Sequence, residues 1–213
     1  MMPDLLVEKA RRKEREFQSR RAEILEQAGK IFASKGFHQA TVAEIAGASG
    51  FAIGTIYHFF HSKESIYAVM IREGLDRMCD GAARAVAREK DFARKLESLI
   101  RSHFQFVEEN ADFCRLLIRG GEISTVDGGL STVRHMAITG YMRQIELIEE
   151  IIKEASGLFP LKNVDTRLMA CSLFGMMKAI SFEWLIEPGK TDLVRRVPLV
   201  LEIFLKGVAD AES

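Results

Sequence analysis

Residues 41–64 read TVAEIAGASGFAIGTIYHFFHSKE, and this stretch decides the fold. Thr41 and Glu44 have the spacing of a capping box, in which each side chain bonds a free backbone N–H group of the other residue, so a helix begins here. The Ser-Gly pair at 49–50 interrupts the helical pattern, and another helical run follows over residues 52–60. Two short helices joined by a turn that contains glycine indicate a helix-turn-helix motif.

Helices also flank this motif on both sides. Before it, apolar residues recur on one helical face: Ile24, Leu25, Ala28, Ile31 and Phe32. Gly36 follows them and is predicted to end that helix, because glycine adopts positive φ without a steric penalty. After the motif, Ser62 is a good N-cap for a fourth helix, whose apolar pattern continues to about residue 88.

The second helix of the motif has an inner and an outer face. Phe51, Ile56 and Phe59 are predicted to pack against the two preceding helices. The outer positions are then free to enter a DNA groove: Ala52, Ile53, Thr55, Tyr57 and His58.

Charge is unevenly distributed along a chain whose net charge is +0. Residues 1–63 contain 10 Lys and Arg against 7 Asp and Glu, so the remaining residues have a net charge of −3. The basic excess is concentrated near the N-terminus, where Arg11 and Arg12 lie. A basic arm beside a compact motif is typical of phosphate contact; a solvated, charged helix end is the alternative.

The composition excludes several other classes of protein. Hydrophobic residues make up 47% and charged residues 28% of the 213 residues, as in a globular protein. Cys79, Cys114 and Cys171 are far apart and odd in number, so we expect neither disulfides nor zinc, and a reducing cytoplasm. We expect no membrane span, no cofactor, and no metal site at His58 and His61, which lack further ligands nearby.

The rest of the sequence is also helical, and no strand pattern competes. Helices are predicted over residues 92–109, 112–119, 130–156, 165–186 and 192–207. The fold class is therefore all-α with about nine helices: an N-terminal three-helix helix-turn-helix domain, then a helical body.

Residues 41–46, 50–60 and 62–64 closely resemble the DNA-binding domain of the tetracycline-repressor (TetR) family, and the resemblance spans residues 22 to about 71. It implies that Thr41 contacts a phosphate and that Gly54 and Thr55 face base edges. It also implies that Tyr57 and His58 meet backbone or bases and that Lys63 anchors a phosphate. Helix N-termini do favour phosphate, and Gly54 would permit a close approach to DNA.

Two residues depart from the family pattern. Ala52 stands where the family usually has a hydroxyl residue, so a side-chain N-cap worth about 1 kcal/mol is absent. Ile53 stands where many members have a polar or basic residue. An isoleucine cannot donate a hydrogen bond, and its natural partner is a thymine methyl group or a sugar. We therefore hypothesise that A·T pairs are favoured opposite Ile53.

The resemblance also divides the chain into a basic arm (1–19), a DNA-binding domain (20–71) and a ligand-binding and dimerisation domain (72–213). Candidate ligand-binding residues are His103, Phe104, Met136 and Glu183. Glu183 is expected to be buried among apolar residues, where it needs a partner such as an arginine of a second subunit. Candidate dimer-interface residues are Gly175, Ala179, Phe182, Val197, Leu201 and Phe204. For each ligand candidate, an ordinary core or interface role is the alternative.

These observations predict a sequence-specific transcriptional regulator that is not an enzyme. A homodimer would place two recognition helices about 34 Å apart on a palindromic operator. A small, largely apolar effector would release a repressor if it fits best after the helix over residues 63–88 has pivoted. A DNA-binding protein without a ligand and, less favoured, a helical enzyme are the alternatives.

Overall fold

The computed structural model describes residues 2–119, 128–155, 164–187 and 192–209. Within these ranges the chain forms nine α-helices and no strand, so the predicted all-α fold is confirmed. They are α1 (Met2–Gln39), α2 (Val42–Ser49), α3 (Ile53–Phe59), α4 (Lys63–Val86), α5 (Phe92–Glu109), α6 (Ala111–Arg119), α7 (Gly128–Ala155), α8 (Thr166–Ile186) and α9 (Val197–Val208). A 3₁₀ turn over Leu193–Arg196 leads into α9.

The predicted helix starts at Thr41 and Ser62 are confirmed. The Glu44 backbone N–H donates to Thr41 Oγ1 at 3.2 Å, and the Thr41 backbone N–H donates to Glu44 Oε2 at 3.0 Å. Ser62 Oγ accepts from the Ser65 backbone N–H at 3.1 Å. Gly50 takes the left-handed conformation, with φ of 71°, that lets the chain turn from α2 into α3.

The first helix is longer than expected. Gly36 interrupts it with a φ of 78°, as predicted, but α1 begins at Met2 and therefore includes the basic arm. Side-chain pairs four residues apart stabilise the arm as a helix: Arg12 Nε donates to Glu16 at 3.0 Å, and Gln18 donates to Glu14 at 2.7 Å.

We call residues 20–71 the head and the later residues the body. The head has its own apolar core, centred on Ile24, Phe32, Ile45, Ile56 and Tyr67. That core continues into the body through Leu75, Leu116 and Val133. A second core joins α5, α7, α8 and α9. Because α4 contributes to both cores, it connects the head mechanically to the body.

Two glycines set how closely the body helices pack on α4. A Cβ atom on Gly74 would lie 2.2 Å from the Phe113 ring, so only glycine allows α6 to lie this close to α4. Similarly, a Cβ on Gly140 of α7 would lie 3.0 Å from Leu75. A movement of α6 or α7 would therefore be transmitted to α4, since packed interiors leave little free space.

Candidate DNA-binding surface and ligand cavity

The exposed face of α3 contains the residues predicted to contact DNA. Ile53 is 47% exposed and Tyr57 is 50% exposed, although both side chains are large and partly or wholly apolar. Ala52, Gly54 and His58 are exposed beside them, and Thr55 is half-buried. On the opposite face of α3, Ile56 is fully buried and anchors the helix to the rest of the head. The turn thus presents these side chains together on one rigid surface.

The N-terminus of α3 has no side-chain cap, as the sequence predicted for Ala52. At α2, by contrast, the Thr41 hydroxyl is engaged with Glu44, with a distance of 3.0 Å between Thr41 Oγ1 and Glu44 Oε2. Lys35 also pairs with Glu44. These contacts fix the N-terminal turn of α2, and a phosphate contact by Thr41 stays a prediction.

Phe17 joins the basic arm to the recognition helix, a contact that the sequence analysis missed. The Phe17 ring centroid lies 4.5 Å from that of Phe59 and 6.4 Å from that of His58. Arg11 and Arg12 lie on the exposed part of α1 that precedes this contact. One sequence feature could have indicated this contact: Phe17 is the sole aromatic residue in a strongly charged segment, residues 8–23.

Lys63 has a structural role that the sequence did not reveal. Its ammonium group donates to the backbone carbonyl oxygens of Phe37 at 2.9 Å, His38 at 3.3 Å and Ala40 at 2.9 Å. It also lies 4.6 Å from the centroid of the Phe37 ring. A lysine has three N–H donors, so a phosphate contact by Lys63, which stays a prediction, requires one of these bonds to be released or shared.

We expect Lys63→Met to lower the free energy of unfolding by about 1–3 kcal/mol, the usual effect of losing hydrogen bonds made by a charged group. Thermal denaturation without DNA measures this effect. Lys206→Met is the matched control, because Lys206 is 75% exposed and its ion pair is with Glu202 on the same helix. Equal melting temperatures for the two variants would contradict the structural role of Lys63.

The salt dependence of DNA binding tests the phosphate role of Lys63 separately. If the ammonium also contacts a phosphate, Lys63→Met lowers the slope of log K against log salt concentration by about one. An unchanged slope would leave Lys63 with the structural role alone.

Arg21 is another residue whose role depends on the tertiary structure. Its guanidinium Nη2 lies 2.6 Å from Glu73 Oε1, and its Cζ lies 5.6 Å from the centroid of the Phe60 ring. Arg21 therefore links α1, the end of α3 and α4. This contact orients the recognition helix relative to the helix that enters the body.

A cavity of about 560 Å³ lies in the body, between α4, α5, α6, α7 and α8. This volume falls within the range of about 300–1,000 Å³ typical of small-molecule sites. Its lining is mainly apolar and includes Leu75, Met78, Val107, Leu117, Phe174 and Leu185. His103, Lys178 and Ser181 are polar residues of the same lining.

A second cavity of about 530 Å³ adjoins the first. The two share Leu117, Ala137, Tyr141 and Lys178. Tyr67 and Arg134 also line the second cavity, so it reaches from the body to the aromatic core of the head.

His103, one of the candidate ligand-binding residues, is 5% exposed and lines the first cavity. Burial, together with the positive charge of Lys178, lowers the pKa of its imidazole to about 4. The ring is therefore neutral near pH 7.

The pKa of His103 predicts a pH-dependent stability. Between about pH 6.5 and pH 4 the unfolded chain binds a proton at this residue and the folded chain does not, so stability falls as the pH falls. At pH 5 the loss is about 2 kcal/mol, from 1.36 kcal/mol per pKa unit. Chemical denaturation of wild type and His103→Phe at pH 7 and pH 5 measures it, and a difference between the proteins that does not change with pH would contradict it.

The other three ligand candidates do not line either cavity among the described residues. Phe104 is fully buried in the body core, and Met136 packs against the head core. The expectation that Glu183 is buried is wrong. Its side chain is 58% exposed, and Glu183 Oε2 lies 2.5 Å from Nη1 of Arg196 in the same chain, because Glu183 lies on the outer side of α8.

Along α8, exposed residues form one continuous row that we call the α8 stripe: Leu168, Ser172, Gly175, Ala179, Phe182 and Ile186. Their spacing alternates between four and three residues, as in a helix that packs along another helix. Leu168 is 61%, Phe182 47% and Ile186 61% exposed, a large apolar area for an unpartnered surface.

Two of the three α9 residues expected at the dimer interface are buried within their own chain. Val197 is fully buried and Phe204 is 3% exposed, so both belong to the core of their own chain and cannot contact a second one. Leu201 is half-buried and packs against the same core. The exposed apolar residues of α9 are instead Leu199 at 58% and Ile203 at 52%, because the other face of α9 packs on α5 and α8.

Among the described helices, α8 has the length and apolar composition of a membrane-spanning helix. This composition is weak evidence for a membrane span, because a helix with two apolar faces gives the same pattern. One face of α8, with Met169, Leu173 and Met177, lies in the body core, and the opposite face is the α8 stripe.

The head and the cavity together define a DNA-binding transcriptional regulator with a helical sensor body. Family models agree with this class: "Bacterial regulatory proteins, tetR family" matches residues 24–70, and "YsiA-like protein, C-terminal region" matches residues 71–207. The chain therefore belongs to the tetR family of bacterial regulatory proteins. The predicted family and the predicted class of function, a transcriptional regulator rather than an enzyme, are confirmed.

Sequence similarity covers most of the length of some relatives and less than half of others. The fatty acid metabolism regulator protein of Bacillus subtilis is 25% identical over 187 residues, 87% of this chain and 94% of the relative. The structure of FadR from Bacillus subtilis in complex with stearoyl-CoA is 26% identical, with a TM-score of 0.71 over 87% of this chain and 98% of FadR. The repressor KstR2 of Rhodococcus jostii is 35% identical over 89 residues, 42% of this chain and 44% of KstR2.

Proposed function

We propose that this protein is a homodimeric repressor that leaves a palindromic operator when its body binds a long-chain acyl ligand. The observation that carries the proposal is the charge of the cavity lining. Lys178 and Arg134 line the adjoining cavities, and no Asp or Glu does so within the described residues. Mainly apolar walls with a cationic border suit an apolar chain with an anionic head.

The relative from Bacillus subtilis supports this ligand class, because its structure contains stearoyl-CoA, an acyl chain on an anionic carrier. The cavity of about 560 Å³ can hold a chain, while a bulky carrier would remain at its mouth. The B. subtilis relative is also a fatty acid metabolism regulator, which makes an acyl ligand the first class to test.

The α8 stripe supports the homodimer. It is exposed and mainly apolar, and Gly175 and Ala179 at its centre would let a second copy approach closely. Leu199 and Ile203 extend the apolar surface onto α9. Two copies related by a twofold axis would bury α8 and α9 of each chain in a four-helix bundle.

The coupling between ligand and DNA would pass through α4. Leu75 and Met78 of α4 line the first cavity, and Tyr67 of α4 lines the second. The Tyr67 ring centroid lies 5.2 Å from Phe32 and 5.1 Å from Phe37, both in the head. A ligand that displaces α4 would therefore move the head and change the distance between the two recognition helices.

A release experiment tests the proposal. The operator is first selected from random duplex DNA, and its affinity is then measured by fluorescence anisotropy with and without hexadecanoyl-CoA. We expect the ligand to weaken binding about 5- to 150-fold, the usual range of allosteric coupling, and coenzyme A alone to have no effect. Unchanged affinity at saturating ligand would favour the alternative of a constitutive DNA-binding protein.

The selected operators also test Ile53. We expect A·T pairs opposite this residue, because its side chain can contact a thymine methyl group and cannot donate a hydrogen bond. Ile53→Arg should shift the preference at the same position to G·C, since arginine bonds guanine O6 and N7. Selection of an invariant G·C pair by the wild-type protein would contradict the hypothesis.

A further inference from the structure

Three polar side chains lie together on one wall of the first cavity. Lys178 and Ser181 are three residues apart on α8, so they share a face of that helix. His103 reaches this wall from α5, and its Nε2 lies 3.4 Å from Ser181 Oγ. We call these residues the polar wall. Most of the residues around them are apolar, and a hydrogen bond is electrostatically stronger in such surroundings than in water.

The polar wall has an unused hydrogen-bonding atom. His103 Nδ1 is buried and has no partner among the residues that the structure describes. A neutral imidazole has one N–H donor and one acceptor nitrogen. When Ser181 donates to Nε2, the Nδ1–H group needs an acceptor, and a buried donor without one is unfavourable by about 1–3 kcal/mol.

The positive charge of Lys178 determines which chemical group of a ligand would bind best at the polar wall. No carboxylate pairs with its ammonium among the described residues, and Nζ instead lies 4.9 Å from the centroid of the Tyr141 ring. Its positive charge contributes to lowering the pKa of the His103 imidazole. A cation beside an N–H donor favours an electron-rich oxygen over a hydrogen-bond donor.

We propose that the Nδ1–H group of His103 and the ammonium of Lys178 bind the carbonyl oxygen of the ligand's acyl group, while Ser181 holds the His103 ring in the required tautomer, and so select acyl compounds over alkyl compounds of equal length. This inference rests on the proposed function. It adds a specificity-determining site: the polar wall holds the acyl oxygen, and the chain extends along Val107, Leu117, Phe174 and Leu185. A thioester and a free carboxylate share this oxygen, so either source fits the site.

Calorimetric titration of the full-length protein with matched probes tests the site. Hexadecanoyl-CoA and S-hexadecyl-CoA differ only in the carbonyl oxygen, and hexadecanoic acid and hexadecan-1-ol form a second pair. We expect the wild type to prefer the carbonyl member of at least one pair by about 10-fold, the equivalent of 1.4 kcal/mol. Preference in the first pair identifies a thioester, and preference in the second pair alone identifies a free acid.

Variants assign the preference to the polar wall. His103→Phe and Lys178→Met should each reduce it to less than about 3-fold, half of the expected free-energy difference. Lys178 is exposed on α8, so Lys178→Met keeps the test valid if His103→Phe does not fold. Glu150→Gln on the exposed face of α7 is the control and should retain the full preference.

The possible failures are distinguishable. Equal affinity of the wild type for both members of each pair, with operator release by hexadecanoyl-CoA intact, would overturn the carbonyl site alone. Retention of the full preference by both variants would also overturn it. If no probe binds and none releases the operator, the proposed function and this inference are both overturned.

Discussion

Gly54→Leu is expected to weaken operator binding on the order of 100-fold, while the folded protein keeps the stability of the wild type. A Cβ atom on Gly54 would meet no other atom within 4 Å, so the free protein has room for the new side chain. On the operator, the same side chain would hold α3 away from the base edges. Loss of two base contacts, each worth about 1–3 kcal/mol, accounts for the size of the effect.

The weaker operator binding and the unchanged stability are measured separately. Fluorescence anisotropy gives the operator affinity, and thermal denaturation gives the stability. Gly54→Ala should have an intermediate effect on affinity, and its stability should not fall, because alanine favours the helix by up to about 1 kcal/mol. Ala83→Leu, at an exposed position of α4 in the body, is the control. Wild-type affinity of Gly54→Leu would show that α3 does not approach DNA at this residue.

Gly175→Glu is expected to convert the proposed dimer into a monomer and to lower operator affinity by about 10²–10⁴-fold, because a tethered second half-site no longer contributes. Gly175 is at the centre of the α8 stripe, and an added Cβ would meet no atom within 4 Å in the single chain. The monomer therefore tolerates the substitution. In a symmetric interface the charge would be buried twice without a partner, which is strongly unfavourable.

Light scattering coupled to size-exclusion chromatography measures the oligomeric state of this variant at micromolar concentration. Glu150→Lys changes the charge of an exposed residue on α7, outside the α8 stripe, and should remain dimeric. Gly175 does not line either cavity, so ligand binding by the monomer separates an interface defect from a cavity defect. A dimeric Gly175→Glu variant would place the interface elsewhere.

The sequence was most informative where structure depends on neighbouring residues. The capping box of Thr41 and Glu44 was predicted from two residues three positions apart, and the missing cap at Ala52 was predicted from one. The exposure of Ile53 and Tyr57 followed from helical periodicity. His103 was a correct candidate for the cavity lining, although nothing in the sequence distinguished it from Phe104, its neighbour in the core.

The sequence was least informative where partners are distant along the chain. Glu183 lies in an apolar stretch, yet it faces outward and pairs with Arg196. Val197 and Phe204 match an interface pattern, yet they fill the core of their own chain. An amphipathic pattern indicates that a helix has an apolar face, and it does not indicate whether that face meets the same chain or another one.

The helices, the helix-turn-helix motif and the family follow from the amino-acid sequence by itself, because caps, turns and periodicity act over a few residues. The crossing of α4 with α6 and α7 was decided only in the folded chain, through the close contacts at Gly74 and Gly140. The same packing brings His103 to Ser181, 78 positions away, and directs the Lys63 ammonium to the end of α1. Such contacts depend on how whole helices pack, a property that no local segment contains.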